Sequence, residues 1–220
     1  MITTVLIAIA AAWPAPLSQA LAPSTEERRA SFELEVVSDD FRAVGAVRTG
    51  ETPSLTIVDA NVPDTEARDR LMEDNGDDIE GRIWCDGFAS QVPDTVTTLH
   101  EDELEARYRY KPSEASAEDE MERKFFAHSM STLTVRRDTM DAPWRVSDLI
   151  MTLNEPFKPN LAARVTAMDL AFSCVLSPHF NGRSYRSEMT MDIEVAALFQ
   201  TMSMNQRVLI TNLRPIEADE

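Results

Sequence analysis

Eleven methionines, three histidines and two cysteines are the residues of this 220-residue chain best suited to soft-ligand, imidazole or thiol chemistry. Met189-Thr190-Met191 and Met202-Ser203-Met204 are both M-x-M pairs, and His128-Ser129-Met130 sets an imidazole near a thioether. Thioethers with an imidazole suit Cu(I), because soft ligands select soft metals. Met202, Met204 and His128 are therefore the candidate metal ligands. Met189 and Met191 have a competing account on the apolar face of a hairpin, where methionine fills irregular gaps in a core.

Carboxylates are the second group. Residues Glu73 to Glu80 gather the oxygen ligands a hard cation takes, so calcium is considered there. An EF-hand loop does not fit: Gly76 at its sixth position would put Leu71 at the first, where an acid is required. A solvated acidic turn accounts for the same residues.

Enzyme signatures fail one by one. The six glycines stand at 45, 50, 76, 81, 87 and 182, with no two of them two apart. That spacing removes the dinucleotide fingerprint and the phosphate-cradling P-loop. His100, His128 and His179 could serve Ser/His/Asp chemistry, yet no G-x-S-x-G elbow is present. With 38 acidic residues, opposed carboxylate pairs of the glycosidase kind arise by chance. Trp84-Cys85-Asp86-Gly87 has only Arg82 as a basic neighbour, which argues against an activated thiol. No catalytic residue and no cofactor are assigned.

Cys85 and Cys174 read instead as a disulfide, closing a loop of 89 residues. Constraining the unfolded chain in this way contributes on the order of 4 kcal/mol in the chain-entropy account. Two buried thiols acting as small hydrophobes are the competing account. The compartment implied by a disulfide agrees with the N-terminus. Residues 1–25 carry no charged side chain, and Val5 to Trp13 is an apolar run too short to span a bilayer. It fits the hydrophobic region of a secretory signal, with Ser18 and Ala20 offering small residues before a cut. The n-region lacks Lys or Arg. We expect residues 1–20 to be a signal peptide and 21–220 a single domain, periplasmic or extracellular, without a transmembrane helix.

Charge is uneven. The chain carries −17 overall, and residues 64–122 hold 19 acids against 6 bases, net −13. Such a surface is repelled by phosphate backbones, so nucleic-acid binding is excluded without a basic patch, and none is found. From 142 to 220 the balance is only 9 acids to 7 bases. The split predicts two lobes of one domain.

The elements that must position these residues follow from periodicity. Ser31–Ser38 alternates as a strand, with partners at 41–48 and 54–59. Asp64–Met72 reads as a helix stopping near Gly76, and 82–89 as a strand. In Glu103–Tyr110, Leu104, Ala106, Tyr108 and Tyr110 share one face. Ser116 with Asp119 suggests a capping box ahead of a helix carrying Met121 and Phe125. Val146, Leu149, Ile150 and Leu153 repeat at helical spacing and predict a second helix there.

Asn181-Gly182 is the strongest hairpin signal, since both central residues of a type I′ turn need positive φ. A symmetric hairpin about it pairs Met168 with Val195, Leu170 with Ile193, Phe172 with Met191 and Cys174 with Met189. The opposite face pairs Asp169 with Glu194, Ala171 with Asp192, Ser173 with Thr190 and Val175 with Glu188. Arg207–Leu213 would return along 195–199, leaving Met202 and Met204 in the turn. The fold expected is α+β: an antiparallel β-rich core with a C-terminal meander and two or three helices.

These readings converge on an exported, non-enzymatic binding or interaction protein. Its partner would be an unidentified protein or small ligand, with self-association through exposed strand edges as one route. A copper or calcium handler is the alternative, and an enzyme with an undisplayed site the third.

Overall fold

Strand β1 (Ala30–Ser38) shows why alternation is decisive in this protein: Phe32, Leu34 and Val36 turn into the core while the residues between them face out. A computed structural model describes residues 13–24, 29–50, 53–75, 83–160, 162–197 and 200–216. Ten antiparallel strands form one sheet. After β1 come β2 (Arg42–Arg48), β3 (Ser54–Ala60), β4 (Thr97–Glu101), β5 (Glu105–Tyr110), β6 (Ser129–Arg136), β7 (Arg145–Leu153), β8 (Ala163–Leu176), β9 (Ser184–Ala197) and β10 (Gln200–Pro215). Their order is β3-β2-β1-β10-β9-β8-β7-β6-β5-β4. A seven-strand meander from β4 to β10 is thus joined, through β10 and β1, to a three-strand meander from the N-terminal part.

Three α-helices are described: α1 (Ala15–Ala20), α2 (Asp64–Asn75) and α3 (Glu120–His128). The fold is α+β and dominated by antiparallel strands, as the sequence implies. Two apolar clusters fill it. One joins α1, α3 and residues 85–92 to β5–β8, and the other joins α2 to β1–β3 and β10. Partly buried Met189 packs against both. Gly45 on β2 lies against the second cluster, where an added Cβ would displace the end of the Leu55 side chain and come within 3.1 Å of the Leu71 side chain on α2.

Several expectations are corrected. Residues 145–153 form a strand. A bulge sets Val146 opposite Val135 and Asp148 opposite Thr134, leaving Ser147 as the extra residue. Val146, Leu149 and Met151 consequently all point inward, and the three-residue step mimics a helix; Ile150 is 48% exposed. Of the strand expected at 82–89, residue 82 lies outside the described residues and the rest is not a strand: Trp84 makes a single bridge to Tyr185, and Cys85–Gln91 is a 3-10 helix. Asp119 rather than Ser116 caps α3, accepting the Glu122 N–H at 2.7 Å. Leu104 lies outside β5 and is exposed.

The C-terminal hairpin turns at Asn181-Gly182, with φ of 44° and 76° and Arg183 N–H donating to Phe180 O at 2.7 Å. Its register differs from the symmetric one by two residues along most of its length. Met168 faces Ile193, Leu170 faces Met191, Phe172 faces Met189, and Cys174 faces Arg186. The opposite face follows the same shift where Asp169 meets Asp192, Ala171 meets Thr190 and Ser173 meets Glu188, whereas Val175, like Cys174, is displaced by three and meets Tyr185. The cause is local. Ser177 N–H donates to Arg183 O, so the turn spans residues 178–182 instead of two residues, and Pro178 has no N–H to contribute there. A bulge between Ser173 and Cys174 then returns one residue. A shift of two preserves the faces, so the apolar side predicted for Met168, Leu170 and Phe172 is retained. Strand β10 also begins earlier than expected. Arg207 pairs with Thr190, and Met202 and Met204 lie within the strand opposite Val195 and Ile193.

Candidate binding groove

The inward face of β8, β9 and β10 is a continuous apolar surface because inward residues of neighbouring strands fall in rows. Phe172, Met189 and Val208 form one row; Met168, Ile193 and Met204 form another. The first row ends deep in the core, with Phe172 and Val208 both buried. The second is uncovered at its β10 end, where Met204 is 50% and neighbouring Met202 55% exposed. Phe32 and Leu34 of β1 extend the floor beyond β10.

Helix α3 supplies the roof. Its apolar side presents Met121, Phe125 and Phe126 to the sheet, and Phe157 and Pro159 continue that side. Several bonds hold it there. Ser129 Oγ donates to Phe125 O at 2.6 Å, and Lys124 Nζ reaches Pro159 O at 3.3 Å. Phe157 and Val165 exchange both backbone bonds, at 3.1 and 2.9 Å, which ties the roof to the start of β8. Between roof and floor lies a partly open groove of about 880 Å³.

The back wall is the segment 83–92, and the disulfide Cys85–Cys174 fastens it to β8. One Arg183 guanidinium nitrogen reaches both oxygens of Asp86, at 2.6 and 2.8 Å, with the side chains only 7% and 11% exposed. The same guanidinium lies 4.1 Å from the Trp84 ring centroid, and Trp84 meets Phe180 edge-on at 4.9 Å. Arg186, on the groove wall, lies 4.2 Å from the Phe88 ring centroid and 5.2 Å from that of Phe172. These contacts explain why 85–91 coils tightly instead of extending: a disulfide and a buried ion pair both draw it onto β8 and β9.

Charge collects at the mouth. Glu118, Asp119 and Glu122 belong to the groove lining near the start of α3. Asp119 accepts from Glu122 N–H, and Glu122 Oε2 accepts from Glu118 N–H at 2.6 Å. Carboxylates at a helix N-terminus satisfy its free N–H groups and oppose its positive dipole end.

Of the residues singled out in the sequence, Met202 and Met204 share one face of β10, and Met204 lines the groove. His128 is the last residue of α3, stacked on Phe157 at 5.7 Å and 4°, with Nδ1 3.9 Å from Glu155. Met202 and Met204 stand on β10, and His128 stands at the C-terminal end of α3. Among the described residues, no cluster of three or more His, Cys, Asp or Glu could hold a metal ion. Residues 76–80 of the acidic run fall outside the described residues. His179 sits in the hairpin turn, its N–H donating to Ser177 Oγ at 3.3 Å. His100 pairs with Asp102 at 3.0 Å on the exposed β4–β5 turn. There the Leu104 and Glu105 N–H groups, followed by His100, lower the Asp102 carboxyl to about 2.

The groove residues were hidden in the sequence as ordinary core positions. Their one signal was methionine: five of the eleven, Met121, Met151, Met168, Met189 and Met204, line this cavity. No helix among the described residues is long and apolar enough to cross a membrane. No family model, curated protein or solved structure matches the chain.

Proposed function

We propose that this is an exported, non-enzymatic binding protein that holds an apolar ligand between the inner face of β8–β10 and helix α3. The observation that carries the reading is the groove itself: a cavity of about 880 Å³ with an apolar floor left half-exposed at Met204. Small-molecule sites are concave, mostly apolar, and commonly about 300–1,000 Å³. Methionine suits such a wall because its unbranched thioether repacks around different shapes. Export is supported by the apolar run at 5–13 and by the disulfide, a bond that persists in oxidising compartments.

The test is titration with the neutral fluorophore N-phenyl-1-naphthylamine, whose emission rises in apolar surroundings. The full chain should give a saturable signal. Met204→Glu, which puts a charge at the mouth, should weaken it by about tenfold. Met140→Glu serves as the control, since Met140 is comparably exposed but outside the groove. No saturable signal, or equal losses in both variants, would refute the reading.

A further inference from the structure

We propose that two copies of this chain associate through the first part of β10, pairing residues 201–205 antiparallel about a two-fold axis at Ser203. This interface goes beyond the groove reading and does not depend on it. Strand β1 accompanies β10 only as far as Gln206, which lies opposite Ser38; Ser38 N–H then donates to Phe41 O at 2.8 Å and the chain turns back into β2. Residues 201–205 therefore have β9 on one side and, among the described residues, no strand on the other. All of them are exposed. Their backbone is aimed at the open side. Thr166 Oγ1 on β8 donates to Glu194 O at 3.2 Å, so the Glu194 carbonyl faces β8. Ser187 Oγ on β9 reaches Ser173 O at 3.2 Å, which sets the same phase through the pair Ser173–Glu188. Backbone groups alternate in direction along an antiparallel strand. Ser203, opposite Glu194, thus turns its N–H and C=O away from β9, as Thr201 and Asn205 do.

Sheet edges are normally protected by charge, proline or a bulge. The two outer edges of this sheet are. Strand β3 follows Pro53, carries Asp59 and has a bulge at Val58, while β4 ends in Glu101 and has a bulge at Leu99. Residues 200–206 have none of these: they include no charged residue and no proline, and their register against β9 is unbroken. On a chain that carries −17, an uncharged strip is where a second copy approaches with least repulsion. The strip is also complementary to itself. An axis at Ser203 sets Ser203 opposite Ser203, Met202 opposite Met204 and Thr201 opposite Asn205. Apolar then meets apolar on one face and polar meets polar on the other, and the same surface serves both copies. The half-exposed Met202 and Met204 of each copy cover those of the other, and the groove floor that ends at Met204 continues into the second chain.

The experiment is sedimentation velocity of the full chain from about 1 to 500 µM, the range in which a small interface dissociates. The unmodified chain should pass from monomer to dimer as concentration rises. Ser203→Pro removes an N–H that faces the open side and leaves the ladder to β9 intact. It should weaken dimerisation at least about tenfold, with the melting temperature of the monomer retained. Ser203→Cys reads the register directly. Hydrogen-bonded partners across the axis lie about 5.5 Å apart between Cα atoms, within the span of a disulfide, so mild oxidation should give a covalent dimer. Asn205→Cys should stay monomeric under the same oxidant, because the two residues 205 lie about 14 Å apart along the paired strands. A monomer across the whole concentration range overturns the proposal. A dimer that Ser203→Pro leaves unweakened also overturns it, because the contact then lies elsewhere. Cross-linking of Asn205→Cys as readily as Ser203→Cys overturns the two-fold register.

Discussion

Helix α1 falls within the segment expected to be removed on export, yet it is packed as part of the core. Leu17 is 0% and Leu21 2% exposed, and Trp13 Nε1 donates to Pro93 O at 2.8 Å. A chain beginning at Leu21 would lose Leu17, Ala20 and this hydrogen bond. Removing a fully buried leucine side chain costs about 3 kcal/mol once the cavity is included. The indole bond adds about 1 kcal/mol. The shortened chain should therefore be about 4 kcal/mol less stable than one beginning at Trp13, a large share of the roughly 5–15 kcal/mol typical of a domain. The assay is urea unfolding with the disulfide intact, followed by fluorescence of Trp84 and Trp144, which both chains retain. For an m-value of about 2 kcal/mol/M, the midpoint should fall by about 2 M. Leu17→Ala in the longer chain should lose about 3 kcal/mol by itself. Coincident unfolding curves for the two chains would refute the reasoning and show that α1 adds nothing to the core. The mass of protein recovered from an exporting host then tells which of the two chains the cell makes.

Other perturbations probe the back wall and the core. Asp86→Ala strands the buried Arg183 guanidinium and should cost about 3–5 kcal/mol, read from the same urea midpoint. Replacing both Cys85 and Cys174 with alanine frees the 89-residue loop and should cost about 4 kcal/mol; an unchanged midpoint would show that the bridge is neutral to stability. Burial raises Tyr108, Tyr110 and Tyr185 above the ordinary tyrosine value near 10, and these are the chain's three tyrosines. Unfolding then releases protons above about pH 10, so stability holds below that pH and falls as pH rises through it. Tyrosinate absorbance should accordingly appear together with loss of circular dichroism. Gradual ionisation of a still-folded protein at pH 10 would contradict it.

Local rules made much of the architecture legible. The alternation in 31–38 and 105–110 and the positive-φ pair Asn181-Gly182 are short-range effects that the neighbouring residues impose wherever the chain goes. Pairing of Cys85 with Cys174 was also readable, because two cysteines allow one connectivity. Three features were not. Residues 145–153 display a helical spacing that a bulge against β6 generates, and no residue within the segment encodes that partner. Residues 85–91 coil because Asp86 meets Arg183, 97 positions away. The groove exists only because β10 pairs with β9 along one part and β1 along another, while α3 covers the resulting face incompletely. The sequence by itself determined which side of each strand is apolar, since that depends on a two-residue period. Which part of that apolar surface stays open was decided by tertiary structure alone, because it depends on which distant elements come to lie over it.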